Sequence, residues 1–414
     1  MSEKKYRPRN PMWFKRILRW TFGRWLVRAY GMSGIGEDIF ERIHPPFVVI
    51  GNHVATRDAF FLSWFVPAPV WWVGTDAHLR KTFMRFFLGM VGTIPKSKVI
   101  PDIVTINLIV DVIRKKKGVV GLFPEGQQTW DGRSLPIFPS TGKLLKLLKV
   151  PVICAHIQGG NASLPRWTWK RRRGRVIVEF SRLFTPADLR SLDVGELNAR
   201  ITRALAHDEL EWMARSGSVF GGSRRAEYLE LALFICPSCS VIGSLHGRGK
   251  IFGCDSCGQS QYLDRQYRFK PVEGSQGRAA PVPPFADIRD WDTWQAGALA
   301  RRVADAAAAG RTEELFADDR VLLLRGHRMN PLRRLARGRL ALYADRIELV
   351  DSRATTLVFP LVSIEGTGIL TRQIFEFYIG QHLYQVRFPS RDISARKWQM
   401  AVDDLASLRA GTLP

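Results

Sequence analysis

The sequence predicts an α/β domain, a sheet flanked by helices, followed by a small β module around four cysteines and a mostly β C-terminal domain closed by a helix. Three observations carry this prediction. Short apolar runs at residues 47–50, 119–123, 150–157 and 175–180 alternate with helical patterns, as in a mostly buried sheet with crossover helices. Two CxxC pairs fall within residues 236–257. After a stretch rich in Pro, Gly, Ala and Ser come several strand-like runs and one amphipathic helix. The 414 residues suit two or three domains at roughly 150 residues each, and an apolar content of 46% excludes disordered and collagen-like classes.

The chain opens with residues 1–32, read as basic amphipathic helices lying on a membrane surface. On a helical projection Lys15, Arg16 and Arg19 share one side, while Trp13, Phe14, Ile17 and Trp20 take the other. After Gly23 the polar face passes to Arg24 and Arg28. No run reaches the roughly 18 apolar residues of a spanning helix; the richest, residues 59–73, is broken by Pro67 and Pro69. Cations interrupt the N-terminus too often for an export signal, so a peripheral or monotopic place on the cytoplasmic side of a membrane is expected. A net charge of +24 calls for polyanionic partners, either an anionic membrane surface or nucleic acid. The interfacial preference of Trp favours the membrane and makes nucleic acid the weaker reading. By the same argument Trp167 and Trp169, followed by Lys170, Arg171, Arg172 and Arg173, are expected to form a second membrane-surface loop.

Residues 33–225 are expected to form the α/β domain. Within it a helix over 103–117 stops where Arg114, Lys115, Lys116 and Lys117 meet Gly118, cations and Gly being C-terminal signals. Another helix is expected over 189–215. In residues 228–268, Cys236 and Cys239 are separated by fourteen residues from Cys254 and Cys257. Four thiolates so spaced complete a closed tetrahedral site, so one structural zinc is expected, and the module resembles a zinc ribbon. Cys154, alone in an apolar run, reads as a core thiol. A linker is expected over 269–290. Residues 291–414 follow with a helix over 291–309, strands near 321–325, 338–350, 355–364, 374–378 and 383–388, and a helix over 393–408 carrying Trp398. Strands closed by such a helix resemble a pleckstrin-homology or GRAM-type barrel.

The chemistry is concentrated in the α/β domain. His53 follows a buried run and Asp58 comes five residues later, where the next helix should begin. An Asp within loop reach can accept one ring N–H, fix the tautomer and leave the other nitrogen as a base. The nucleophile can then be a substrate hydroxyl. Phe123-Pro124-Glu125-Gly126 follows the next buried run, where ligands bind in such sheets, and the motif continues through Arg133 to Lys143. Residues 92–98 read as a short strand-like segment ending in the cations Lys96 and Lys98, and Val150-Pro151-Val152-Ile153 forms a fourth block.

These four blocks, in this order and spacing, resemble the glycerolipid acyltransferase family typified by 1-acylglycerol-3-phosphate acyltransferases. The resemblance covers residues 45–185 and implies an enzyme that transfers a fatty acyl group from acyl-CoA or acyl-carrier protein to the hydroxyl of a lysolipid acceptor, in phospholipid biosynthesis. It implies His53 as general base, Asp58 as its orienter, and Glu125 with Gly126 in acceptor binding. One departure stands out: the family commonly continues Thr-Arg-Ser, whereas this chain has Gln127-Gln128-Thr129. Gln128 is neutral and cannot clamp a phosphate by a charge-assisted pair. Lys96, Lys98, Arg133 or Lys143 could bind the phosphate instead, Lys96 and Lys98 being preferred. The alternatives are a phosphate-poor acceptor such as a lyso-aminolipid, or a non-catalytic lipid- or nucleic-acid-binding scaffold.

Overall fold

A computed structural model describes residues 6–97, 103–272, 282–310 and 312–411. It divides into two compact units, Met1–Arg166 with Lys170–Gly221, and Trp167–Trp169 with Gly222–Pro414.

The first unit is built on seven strands: β1 (Met32–Ile35), β2 (Phe47–Gly51), β3 (Val70–Thr75), β4 (Ile94–Lys96), β5 (Val119–Leu122), β6 (Val152–Gln158) and β7 (Val176–Phe184), in the order β1-β7-β6-β2-β5-β3-β4. All neighbours are parallel except β6 and β7. The central strand β2 is buried along its whole length because helices cover both faces of the sheet. Side chains alternate between the two faces. Phe47 and Val49 join a core with Phe61, Trp72 and Phe180, whereas Val48 and Ile50 join Ile109, Leu145 and Ile201 on the other side. Cys154 is buried in this second core.

Three strands have no counterpart among the four apolar runs. β1 is short and glycine-containing, β3 follows the two prolines of an apolar run, and β4 has only three residues. The single helix expected over 189–215 is three helices, Asp188–Ser191, Val194–Leu205 and Glu209–Ser216. Aspartates restart it: Asp193 accepts from Glu196 N–H, and Asp208 from Leu210 and Glu211 N–H. At the N-terminus the helices Met12–Leu18 and Arg24–Tyr30 are joined through a π-helical turn, Arg19–Gly23, rather than broken. Lys15 is not on the polar face expected of it. Its ammonium donates to the carbonyls of Val66 and Ala68, and burial pushes its pKa down to about 7. Trp13, Ile17 and Trp20 stay exposed.

The second unit holds two sheets. One has four antiparallel strands in the order β11-β10-β9-β8: β8 (Leu245–Arg248), β9 (Ile251–Cys254), β10 (Ser260–Leu263) and β11 (Phe269–Pro271). β11 therefore extends the cysteine module into the segment read as linker, of which residues 273–281 lie outside the described residues. The other sheet has β12 (Phe316–Gly326), β13 (Arg333–Leu342), β14 (Arg346–Asp351), β15 (Thr356–Pro360), β16 (Gly366–Leu370), β17 (Ile374–Ile379) and β18 (His382–Arg387). Their order is β15-β14-β13-β12-β18-β17-β16, all antiparallel, with the helix Ala395–Arg409 packed against β16 and β17. Trp398 of that helix is fully buried, and its indole donates to Asp318 at 2.6 Å.

Trp167 and Trp169 correct the expectation of a second membrane loop. Trp167 is 1% exposed, and Trp169 packs edge-on to Tyr228 with the guanidiniums of Arg372 and Arg391 over its ring. Arg172 is also buried. The cation run beside the two indoles looked solvent-facing in sequence, but the indoles belong to the core of the second unit.

Candidate active site

Because β2 and β5 are parallel neighbours, the loops leaving their C-terminal ends emerge side by side. Asn52 clamps the first loop to β6: its amide donates to Ile157 O at 2.9 Å and its oxygen accepts from Ile157 N–H at 2.7 Å. The next residue is His53. Asp58, the first residue of the helix Asp58–Phe65, is fully buried, and its Oδ2 accepts from His53 Nδ1 at 2.9 Å. The same oxygen accepts from the N–H groups of Val54 (2.7 Å) and Ala55 (2.9 Å). Burial pushes the Asp58 carboxyl upward, and the hydrogen bonds from His53, Ala55 and Val54 oppose it. An imidazole so held carries its proton on Nδ1 and presents Nε2 as the basic nitrogen.

Glu125 ties the two loops together. One carboxylate oxygen accepts from His53 N–H at 2.9 Å and the other from Leu135 N–H at 2.7 Å. Burial raises its pKa to about 7 against those two hydrogen bonds. Thr129 N–H donates to His53 O at 3.2 Å, so the second loop grips the backbone of the candidate base on both sides. Gly126 sits at φ +69°, and the Phe138 ring packs where a Cβ would be, 2.1 Å away. Lys96 Nζ lies 4.1 Å from the centre of that ring, which brings Lys96 beside the Glu125 loop. Burial lowers the Lys96 pKa. Arg133 is paired with Asp131, Nε to Oδ2 at 2.6 Å, so its charge is already matched. Lys98 lies outside the described residues.

Two features escaped sequence reasoning. The His53 ring stacks on Phe123 (centroids 4.4 Å apart), and Phe123 stacks on Trp72 (4.9 Å). Phe123 belongs to the quoted motif, but Trp72 comes from β3, and no local spacing announces the pairing. Arg166 is 3% exposed, donates to Gln128 O at 2.6 Å and lies 4.3 Å over Trp130. The Gln128 side chain itself accepts from Thr56 Oγ1 at 3.4 Å.

In the second unit the Sγ atoms of Cys236, Cys239, Cys254 and Cys257 all lie within 4.8 Å of one another. Cys236 to Cys257 is 3.6 Å and Cys239 to Cys254 is 3.7 Å. A tetrahedron with metal–sulfur bonds of about 2.3 Å has edges of about 3.8 Å, so the donor set fits one metal ion.

Residues 35–158, which span both loops of this site, match the family model described as Acyltransferase. Through this segment the chain is similar to acyltransferases. It is 22% identical over 180 residues to a 1-acyl-sn-glycerol-3-phosphate acyltransferase of Saccharomyces cerevisiae, covering 42% of this chain and 59% of that protein. To an enzyme of the same description from Limnanthes alba it is 26% identical over 140 residues, covering 32% of this chain and 48% of the relative. The chain thus spans about half the length of the curated relatives it matches. Among solved structures it is similar to the 1-acyl-sn-glycerophosphate acyltransferase PlsC of Thermotoga maritima, with 16% identity and a TM-score of 0.40, covering 46% of this chain and 76% of that one.

Proposed function

We propose that this chain acylates the hydroxyl of a lysophosphatidic-acid-type acceptor, with acyl-CoA or acyl-carrier protein as donor. The observation that carries the reading is the buried Asp58 oxygen 2.9 Å from His53 Nδ1, within a loop whose backbone Glu125 holds from the far side. His53 Nε2 takes the acceptor's hydroxyl proton as its oxygen attacks the thioester carbonyl. The C–S bond of the tetrahedral intermediate then breaks and the thiolate leaves. Lys96, beside the Glu125 loop, supplies a cation for the acceptor phosphate, while Arg133 is occupied by Asp131. A second reading keeps the reaction but gives it a phosphate-poor acceptor such as a lyso-aminolipid, because Gln128 stands where the family commonly has Arg.

The acceptor is amphiphilic, and the first unit has the surface to reach it. Trp13, Ile17, Trp20 and Trp25 are exposed on the N-terminal helices, and Phe83 and Phe86 on the helix Thr82–Met90. Among the described residues no helix is long and apolar enough to cross a membrane. The exposed aromatics support contact with an anionic membrane surface, with nucleic acid the weaker partner. In the second unit the four cysteines support one structural zinc, and the strand order of the seven-stranded sheet with its closing helix supports the pleckstrin-homology or GRAM-type reading.

An acceptor panel tests the proposal. With radiolabelled acyl-CoA, the purified chain should acylate lysophosphatidic acid, and Lys96→Ala should raise KM for that acceptor more than it lowers kcat. Activity confined to phosphate-free lysolipids would select the second reading, and silence on every acceptor and donor would favour the scaffold.

A further inference from the structure

The π-helical turn at Arg19–Gly23 has a consequence for charge. In an α-helix, residues five apart lie about 140° from each other around the axis. Here Arg24 N–H donates to Arg19 O, an i to i+5 bond, so the widened turn sets Arg24 one turn along from Arg19. Arg16 and Arg19 from the first helix and Arg24 and Arg28 from the second consequently line one cavity of about 540 Å³, together with Trp20 and Trp64. Gly23 permits this wall, because a Cβ there would come within 2.6 Å of the Trp64 ring.

The four guanidiniums are unmatched. Among the described residues none has a carboxylate partner, although Arg396 pairs with Asp292 and Arg339 with Glu314 elsewhere in the chain. Arg19 lies 5.0 Å over the Trp64 ring, a contact that leaves its N–H groups available. No Asp or Glu occurs in the sequence from Lys4 to Gly36. A guanidinium fork suits a phosphate oxygen pair, and the volume is that of a small-ligand site. Trp13, Ile17 and Trp20 are exposed on the same helical segment, so an apolar surface adjoins the cationic cavity.

We propose that this cavity is a discrete site for the phosphate ester of an anionic phospholipid headgroup, held while the neighbouring Trp side chains sit in the bilayer interface. The proposal rests on the membrane reading above and sharpens it from general attraction of charges to a shaped site separate from the His53 centre.

The test is cosedimentation of the full chain with phosphatidylcholine vesicles, with and without phosphatidylglycerol. Substituting Arg19→Lys with Arg24→Lys keeps every charge but removes the planar fork. The site requires that this variant bind the phosphatidylglycerol vesicles at least about three-fold more weakly than wild type. The companion Arg19→Gln, Arg24→Gln variant should lose about five-fold per charge, as each cation near an anionic leaflet would. Both should keep the wild-type circular dichroism spectrum and turn over detergent-dispersed acceptor normally. Equal binding by the lysine variant and wild type would overturn the site while leaving the membrane reading intact. Displacement from the vesicles by soluble glycerol 3-phosphate at matched phosphate concentration would overturn the lipid assignment. Failure of wild type to bind either vesicle would remove both readings.

Discussion

His53 depends on a single oxygen. Asp58 Oδ2 accepts three N–H groups, so the residue that orients the imidazole also shapes the loop that carries it. An amide oxygen in its place keeps the acceptor but loses the charge that stabilises the imidazolium formed at His53, and it buries an NH2 where Asp58 Oδ1 has no partner. Asp58→Asn should lower kcat by about 10²-fold or more in a folded chain, read by steady-state acyl transfer. Glu125 gives a pH signature. Its pKa is raised from 4.5 to about 7, so between those values the folded chain holds this proton more tightly than the unfolded one. The associated stability is fully present below about pH 4.5 and is lost as pH rises through about 7. Denaturant unfolding should therefore show wild-type stability, measured relative to Glu125→Gln, falling across that window and levelling above it. The fall should be at most about 3 kcal/mol. A difference independent of pH would contradict the burial argument. At this scale much was legible: His53, Asp58, Glu125 and Gly126 are neighbours in sequence blocks, and loops after buried strands are where ligands bind. Arg166 and Trp72 were not, because each reaches the site from a distant segment through tertiary packing.

Among the elements, β5 shows how a strand can serve the site without touching substrate. Its Gly121 lies where a Cβ would stand 2.3 Å from the Trp72 ring, in the middle of a fully buried strand. A glycine there costs local stability but lets Trp72 lie flat on Phe123, which lies flat on His53. Gly121→Ala should push Trp72 outward, costing about 1–3 kcal/mol in thermal or denaturant unfolding. It should also lower acyl transfer at temperatures where the variant is still folded. Unchanged activity with lowered stability would show that the aromatic stack does not position the base. Long buried strands such as β2 and β6 announced themselves as apolar runs. β1 did not, because four residues are too few to show a period, whereas β4 lies within the strand-like segment 92–98. The helix 189–215 was overextended because its apolar rows continue across Asp193 and Asp208, whose capping bonds restart the backbone. Trp167 and Trp169 differ from expectation for a related reason: an indole beside cations looks interfacial, and no local spacing announces the core it enters.

At the scale of the whole molecule, two units carry separable properties. The four-cysteine cluster was legible because two CxxC pairs make a short, specific pattern. Elemental analysis should find one zinc per chain. Cys239→Ser or a strong chelator should abolish zinc retention and lower the thermal transition of the second unit, since binding energy at such a site is folding energy. A metal-free chain with an unchanged transition would contradict the structural role. The linker was placed by composition, yet β11 lies inside it, because a three-residue strand gains its order from pairing with β10 rather than from its own residues. What the acceptor is was the least legible property, since one neutral residue, Gln128, separates the two readings. The central claim is that His53 is the base of an acyl transfer, and the most direct measurement is transfer from acyl-CoA to lysophosphatidic acid by wild type and His53→Ala, with unfolding curves confirming that both are folded. The account predicts a loss of about 10²- to 10⁴-fold in kcat with KM little changed. Near-normal turnover by the folded variant would contradict it.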